Sequence, residues 1–178
     1  MKSLIVYGSV YGTTKRYAEK FSEMTGIPAV SCENVRDLSG VDLVVHFGGL
    51  YAGGVKGLKH TVRAAGEGVQ LVLVTVGLAD VTDRENVENI RRSVSRQVPG
   101  QMLERAAVFH LRGGIDYGQL SLKHKAMMTL LYNKAKKLPE SEKTAEVRAM
   151  IETFDSKVDF VDESGLLPIL EAVRLYRK

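Results

Sequence analysis

YGSVYGTT, residues 7–14, follows the apolar run Leu4–Val6 and precedes a segment whose apolar residues recur at helical spacing. Two glycines and several hydroxyl side chains are crowded into this turn, which has no lysine or arginine. Backbone N–H groups at the start of a helix can hold an anion without a countercharge, and hydroxyl groups supply further hydrogen bonds. The stretch therefore predicts an anion site between a first strand and a first helix.

Short apolar runs rich in β-branched residues alternate with longer segments of helical spacing. Apolar runs without polar alternation are typical of strands that are covered on both faces. The predicted strands are Ser3–Tyr7, Ala29–Cys32, Leu43–Phe47, Gln70–Val76 and Ala106–Leu111. This alternation predicts an α/β fold, a doubly wound sandwich in which a five-stranded parallel sheet carries helices on both faces.

Helical spacing and capping signals predict where the helices that connect these strands begin and end. Gly26 is a natural end for the first helix, and Thr82 with Glu85 has the spacing of a capping box. The predicted helices cover Tyr17–Met24, Lys59–Ala65, Thr82–Pro99, Leu120–Leu138 and Leu167–Tyr176, with an extra one over Ala145–Phe154. We expect a single domain over residues 1–178, with a basic helical excursion around residues 118–160.

Composition excludes several classes of protein. The hydrophobic fraction of 44%, the charged fraction of 26% and only four prolines are typical of a folded globular chain. Cys32 is the only cysteine, which excludes an internal disulfide and a cysteine-based zinc cluster. No apolar stretch is long enough to span a membrane or to form a signal-peptide core. We therefore expect a cytoplasmic protein.

Three other kinds of phosphate-related site do not match the sequence of the first turn and its neighbouring strand ends. A nucleoside triphosphate loop needs a lysine directly after its second glycine, where Thr13 stands. A dinucleotide fingerprint needs a second glycine where Val10 stands. A phosphoryl-receiver domain needs acidic strand ends, whereas the third predicted strand is followed by Gly48. A single phosphate monoester remains the best ligand for the loop.

The spacing Ser9-x-x-Gly12-x-Thr14 resembles the phosphate loop of the flavodoxin-like family, which binds flavin mononucleotide (FMN). This resemblance implies the strand order 2-1-3-4-5 and non-covalent FMN. It also implies that the flavin ring is held by the loops after the third and fourth strands. The residues expected to bind FMN are Ser9, Val10, Tyr11, Gly12, Thr13, Thr14, Gly49, Leu50, Tyr51, Ala52, Gly53, Gly77, Leu78, Ala79 and Asp80.

Each ring loop has a physical rationale. The glycines between Gly48 and Gly54 let backbone approach a flat ring, and Tyr51 is placed to stack on it. The alternative for Tyr51 is a partly buried surface aromatic. The segment Gly77–Thr82 offers backbone amides to the pyrimidine edge of the ring.

Over most of its length the chain resembles the menaquinone-dependent protoporphyrinogen oxidase branch of the family. The similar features are the phosphate loop, Tyr51, the turn Arg112–Tyr117, a basic helix with Met127 and Met128, and a final helix after VDFVDE. This resemblance implies an oxidoreductase that takes electrons from a porphyrinogen at FMN and passes them to a quinone. The chain differs from electron-carrier flavodoxins, which are usually acidic and often use a tryptophan, because it has a net charge of +4 and no tryptophan.

The predicted helix Leu120–Leu138 carries much of the positive charge. Such a helix can lie on an anionic membrane or bind porphyrin carboxylates. The plainer alternative is an apolar stripe packed on the sheet with lysines in water. The competing functions are therefore a soluble electron carrier and a cofactor-free module that binds an anionic surface; we expect no nucleic-acid partner.

No catalytic or metal-binding pattern stands out elsewhere. His46 is expected to be a satisfied core histidine, and His60, His110 and His124 lack metal-ligand spacing. Any catalysis would therefore depend on chemistry supplied by the cofactor.

Overall fold

The computed structural model describes residues 1–51, 54–66 and 68–177. The strands are β1 (Ser3–Gly8), β2 (Ala29–Ser31), β3 (Leu43–Tyr51), β4 (Gly54–Val55), β5 (Gln70–Gly77), β6 (Ala107–Arg112), β7 (Gly114–Asp116) and β8 (Lys157–Asp159). The helices are α1 (Thr13–Thr25), α2 (Leu58–Ala64), α3 (Arg84–Ser95), α4 (Gly100–Arg105), α5 (Leu122–Ala135), α6 (Ala145–Glu152) and α7 (Leu166–Tyr176).

The main sheet runs in the order β2-β1-β3-β5-β6, and all of these neighbours pair in parallel. This is the predicted five-stranded order, because β5 and β6 are the fourth and fifth strands of the prediction. The two-residue β4 turns back antiparallel against the end of β3. The doubly wound α/β fold is therefore confirmed.

The sheet separates two apolar layers, and this explains why its strands lack polar alternation. In β1, Ile5 belongs to the layer that α1 and α7 cover, while Val6 belongs to the layer formed with α2, α3 and α4. Both side chains are fully buried. Successive residues of a strand point to opposite faces, so both faces of a sheet buried in this way require apolar residues.

Three helix predictions need correction. The N-cap of α3 is Asp83, whose carboxylate accepts from the Asn86 N–H, and not Thr82. Thr82 instead donates its own N–H and hydroxyl to Asp80. The helix predicted up to Pro99 ends at Ser95, and the short α4 follows it as a separate helix that was not predicted. The helix α5 is shorter at both ends than the prediction.

The excursion is anchored by β7 and β8, which pair antiparallel with Ile115 opposite Val158. Between these strands the chain forms α5 and α6, which pack against each other. A small core of Ile115, Tyr117 and Met128 lies beneath them. None of the helices in the described ranges combines the length and apolarity needed to cross a bilayer.

Candidate functional site

A cavity of about 520 Å³ lies at the carboxyl ends of β1, β3 and β5. This volume is within the range of about 300–1,000 Å³ that is typical of small-molecule sites. The predicted residues that line it are Val10, Tyr11, Thr13, Thr14, Gly49, Leu50, Tyr51, Gly77 and Leu78. Ser9, Gly12, Ala79 and Asp80 are not among its lining residues, and Ala52 and Gly53 lie outside the described residues.

The first loop is built around the start of α1. Gly12 has a φ of +93°, a left-handed conformation that glycine adopts without strain, and its N–H donates to the Ser9 hydroxyl over 3.1 Å. No side chain caps α1, and its first turn has no acidic residue. The positive end of the helix dipole and the N–H groups of the first turn therefore suit an anion.

The predicted loop after the third strand is partly strand. Gly48 pairs with Gly8 on one side and with Thr75 on the other, and β3 continues to Tyr51. Gly49 also lies in this extension, and a side chain there would come within 3.0 Å of the Thr14 hydroxyl. Glycine at this position lets the end of β3 lie close to the start of α1.

Tyr11 and Tyr51 line the cavity under methionines of α5. The Tyr11 hydroxyl donates to the Met128 sulfur over 2.8 Å, and the Tyr51 hydroxyl donates to the Met127 sulfur over 2.6 Å. Burial raises the pKa of Tyr11, and the neighbouring Tyr51 and Tyr117 raise it further. The Tyr11 hydroxyl therefore stays protonated and remains a hydrogen-bond donor across the neutral pH range.

The amides after β5 are bound by the chain itself. Leu78 N–H donates to Glu146 Oε1 over 2.9 Å, and Ala79 N–H donates to Glu146 Oε2 over 3.0 Å. The neighbouring Asp80 is exposed, and its pKa is lowered chiefly by the hydrogen bond from the Thr82 N–H. Two consecutive amides thus converge on one acceptor group, although no pattern in the sequence indicates that Glu146 supplies it.

The cavity is also lined by residues of α3, α5 and α6, and we call this part of it the second lobe. Leu131, Val147 and Met150 supply apolar lining, and the basic lining residues are Arg92, Arg96 and Lys134. Arg92 and Arg96 are four positions apart, a spacing that places two side chains on one side of a helix. This spacing is visible in the sequence, but only the tertiary fold brings Lys134 to the same cavity.

Arg112 connects the end of β6 to the loop after β5. Its Nη2 and Nε donate to the carbonyl of Leu78 over 2.8 and 3.2 Å. The guanidinium also lies 3.8 Å from the centre of the Phe160 ring. Arg112, in the turn predicted to bear an arginine, therefore holds the loop after β5 through its hydrogen bonds to the Leu78 carbonyl.

The histidines offer no metal site. His46 is fully buried, its Nε2 lies 3.1 Å from the Lys56 carbonyl and its Nδ1 lies 3.0 Å from the Thr61 hydroxyl. Because the carbonyl can only accept, Nε2 carries the proton and Nδ1 accepts from Thr61. Within residues 1–51, 54–66 and 68–177, no group of three histidine, cysteine or acidic side chains is arranged to hold a metal ion.

A family model described as the flavodoxin domain matches residues 4–142. The chain belongs to the flavodoxin domain family. The matched region contains the first loop, the loops after β3 and β5 and the whole of α5. No curated protein sequence matches this flavodoxin domain.

Several solved structures are similar to this flavodoxin domain. A flavoprotein from Lactobacillus acidophilus in complex with FMN is 13% identical over 62% of this chain and 92% of that one, with a TM-score of 0.43. A cysteine-to-alanine mutant of a flavodoxin from Pseudomonas aeruginosa is 19% identical over 76% and 97%, with a TM-score of 0.42. An azoreductase from Bacillus anthracis is 9% identical over 85% and 99%, with a TM-score of 0.45.

FMN is the cofactor that membership in the flavodoxin family implies, and the residues present fit it. The uncapped start of α1 suits a phosphate, and the cavity beside Tyr11 and Tyr51 suits a flat apolar ring. The amides of Leu78 and Ala79 converge on an acceptor, as the carbonyl oxygens of a flavin would require. At this last position the Glu146 carboxylate stands where that acceptor would bind.

Proposed function

We propose that this flavodoxin domain is an FMN-dependent oxidoreductase with a substrate site of its own. The observation that carries the proposal is the second lobe, which continues the cavity past the cofactor loops between α3, α5 and α6. An electron carrier needs only an exposed ring edge. A space beside the ring that is lined by side chains is what an enzyme needs to hold a substrate.

The chain's own residues have distinct roles in this proposal. Ser9, Thr13 and the amides at the start of α1 would hold the phosphate, while Tyr11 and Tyr51 would lie beside the ring. The methionines of α5 would keep water away from it. FMN, when bound, supplies reversible oxidation and reduction, accepting electrons from a donor and releasing them to an acceptor.

The lining of the second lobe favours an apolar substrate with anionic groups. Leu131, Val147 and Met150 would pack on an apolar body, and the charges of Arg92, Arg96 and Lys134 would attract carboxylates. A porphyrinogen has this character, and a quinone is a suitable acceptor. Each pair of hydrogen atoms removed from the porphyrinogen would end on one quinone, which becomes a quinol, so that full oxidation to the porphyrin would use three quinones in turn.

Cofactor binding is tested by titrating FMN into purified protein and following flavin fluorescence. We expect quenching by FMN and much weaker quenching by riboflavin, which lacks the phosphate that the first loop would hold. Unquenched fluorescence at high protein concentration would contradict the cofactor assignment. Equal affinity for FMN and riboflavin would contradict the role of the first loop.

Substrate oxidation is tested by supplying FMN-loaded protein with protoporphyrinogen and a menaquinone analogue. We expect porphyrin fluorescence above the autoxidation control. Arg96→Ala should raise KM with little change in kcat, because its charge would attract the substrate without touching the reacting atoms. Arg91→Ala is the matched control, since Arg91 lies on the same helix outside the cavity lining. Porphyrin formation no faster than in the autoxidation control would contradict the assignment of a porphyrinogen as the substrate.

A separate observation favours contact of α5 with an anionic membrane. Leu122 is 86% exposed and Leu130 is 72% exposed, and their spacing places them on one outward stripe with Ala126. Helical geometry places lysines on both sides of this stripe, at positions 123, 125 and 136. In the plainer alternative the apolar side of α5 is buried and its lysines face water. Met128 and Ala135 are buried, and Met128 packs with Ile115 and Tyr117 of the excursion rather than on the main sheet.

Vesicle sedimentation tests this contact. We expect binding to vesicles that contain phosphatidylglycerol, loss of binding at high salt, and strong weakening by Leu130→Glu. Leu167→Glu is the matched control, because Leu167 is an exposed leucine on α7, away from the lysines. Equal binding to neutral and anionic vesicles, or equal effects of the two substitutions, would contradict the contact.

A further inference from the structure

Glu146 occupies the acceptor position of the ring subsite. Its two carboxylate oxygens bind two consecutive amides, those of Leu78 and Ala79, over 2.9 and 3.0 Å. Hydrogen bonds from N–H groups to an ionised carboxylate are stronger than those between neutral groups. A cofactor carbonyl and this carboxylate cannot both accept from the same two N–H groups at full strength.

The backbone at Gly77 is shaped to admit the carboxylate. A side chain on Gly77 would bring its Cβ within 2.8 Å of Glu146 Oε2 and within 2.7 Å of Leu50 Cδ1. Gly77 lines the same cavity as the first loop. The glycine that would let backbone approach a flat ring therefore also leaves room for the Glu146 side chain.

The excursion contacts each of the three loops that would hold the cofactor. Beyond Glu146 on the third loop, α5 meets the first loop through Met128 and the end of β3 through Met127. An ion pair between Arg148 and Glu85, 3.9 Å apart, lies between α6 and α3. Both partners of this pair are substantially exposed, so the pair itself contributes little to holding α6 against α3.

We propose that Glu146 is a built-in competitor for the cofactor ring, so that the ring binds the Leu78 and Ala79 amides only when α6 withdraws the carboxylate. This inference rests on the proposed FMN-dependent function. Glu146 thereby lowers the affinity for FMN and couples cofactor binding to the position of α6. In the absence of the flavin it accepts hydrogen bonds from both amides.

Two variants separate contact from charge. Glu146→Ala removes the carboxylate, and Glu146→Asp keeps the charge on a side chain one methylene shorter, which draws it back from the amides. The matched control is Glu152→Ala, which removes an exposed carboxylate from the same helix outside the cavity lining. Each protein is measured by FMN titration and, without flavin, by amide hydrogen exchange.

Both Glu146 variants are expected to bind FMN about tenfold more tightly, because two charge-assisted hydrogen bonds no longer oppose the ring. In flavin-free protein they should exchange the Leu78 and Ala79 amides at least about tenfold faster. The control should match the parent chain in both measurements. An FMN affinity within about twofold of the parent, or weaker, would overturn the competition, as would a Glu146→Asp variant that behaves like the parent.

The exchange measurement keeps the two proposals distinguishable. If neither the parent chain nor any of the three variants binds FMN, the proposed cofactor is wrong. Amide hydrogen exchange then tests by itself whether Glu146 binds the two amides. Unchanged exchange in Glu146→Ala would overturn that contact whatever the flavin result.

Discussion

The hydroxyl of Tyr17 donates a hydrogen bond to the carbonyl oxygen of Arg112 over 2.8 Å. The same hydroxyl accepts from the N–H of Asp162 over 2.9 Å, so one buried oxygen joins α1, the end of β6 and the segment before α7. The Arg112 side chain in turn donates to the Leu78 carbonyl. The first loop and the loop after β5 are thus fixed relative to each other through two side chains.

Tyr17→Phe is expected to lower the free energy of unfolding by about 1–3 kcal/mol, because it removes the partner of a backbone carbonyl and of a backbone N–H. Chemical denaturation measures this change. Tyr117→Phe is the matched control: its hydroxyl is buried without a partner among the described residues, so its removal should leave stability unchanged or slightly higher. An equal loss in both variants would contradict the role of the Tyr17 hydroxyl.

Gly12→Ala is expected to cost about 1–2 kcal/mol of stability, because alanine is strained at a φ of +93°. It should also weaken FMN binding, because relief of that strain would displace the first loop. Gly40→Ala provides the control, since Gly40 has a φ of +74° and, like Gly12, has no atom within 4 Å of an added Cβ. Denaturation and FMN titration of both variants should show similar destabilisation but weaker FMN binding only for Gly12→Ala.

Arg112→Lys is expected to weaken FMN binding by about fivefold to tenfold. Lysine keeps the charge but loses the planar fork that donates twice to Leu78 and stacks on Phe160. Amide exchange at Leu78 should rise in the same variant, which a loss of charge attraction alone would not produce. FMN affinity and exchange that both match the parent would show that the fork does not hold the loop.

Stability is expected to fall as the pH drops from about 6.5 to about 4 because of His46. Burial lowers the pKa of His46 to about 4, while the unfolded chain keeps the ordinary value near 6.5. The unfolded state therefore binds a proton that the folded state excludes over this window, which costs about 3 kcal/mol by pH 4. His46→Gln should flatten this part of the stability profile measured by denaturation. Parallel profiles for the parent and His46→Gln would contradict the shift.

The topology could be predicted because its cause is local in the sequence. Runs such as Leu43–Phe47 are buried on both sides and so contain no polar residue except the partnered His46. The strands β4, β7 and β8 were missed because each has only two or three residues and, unlike the Ala29–Cys32 segment that predicted β2, none coincides with an apolar run in the sequence. Thr82 has the spacing of a cap, but its N–H and hydroxyl bind Asp80, and Asp83 caps α3 instead.

The site could be predicted only in its loops. The first loop and Tyr51 were predicted from strand ends, where parallel sheets place their ligands, and both line the cavity. Glu146 could not be found this way, because it meets Leu78 across 68 positions and its own segment carries no motif. The second lobe is similar. The spacing of Arg92 and Arg96 near the end of α3 is visible in the sequence, but nothing in the sequence places Lys134 at the same cavity.

The pairing of Asp116 with Lys157 brings the two ends of the excursion side by side, with an ion pair of 3.2 Å between their side chains. The segment between these residues, which includes α5 and α6, therefore begins and ends at neighbouring positions of the β7–β8 pair. The excursion can therefore be replaced by a segment of different length or sequence without changing the strand order of the main sheet or its loops. Sequence changes that alter substrate choice can therefore accumulate in the excursion while the parallel sheet keeps its structure.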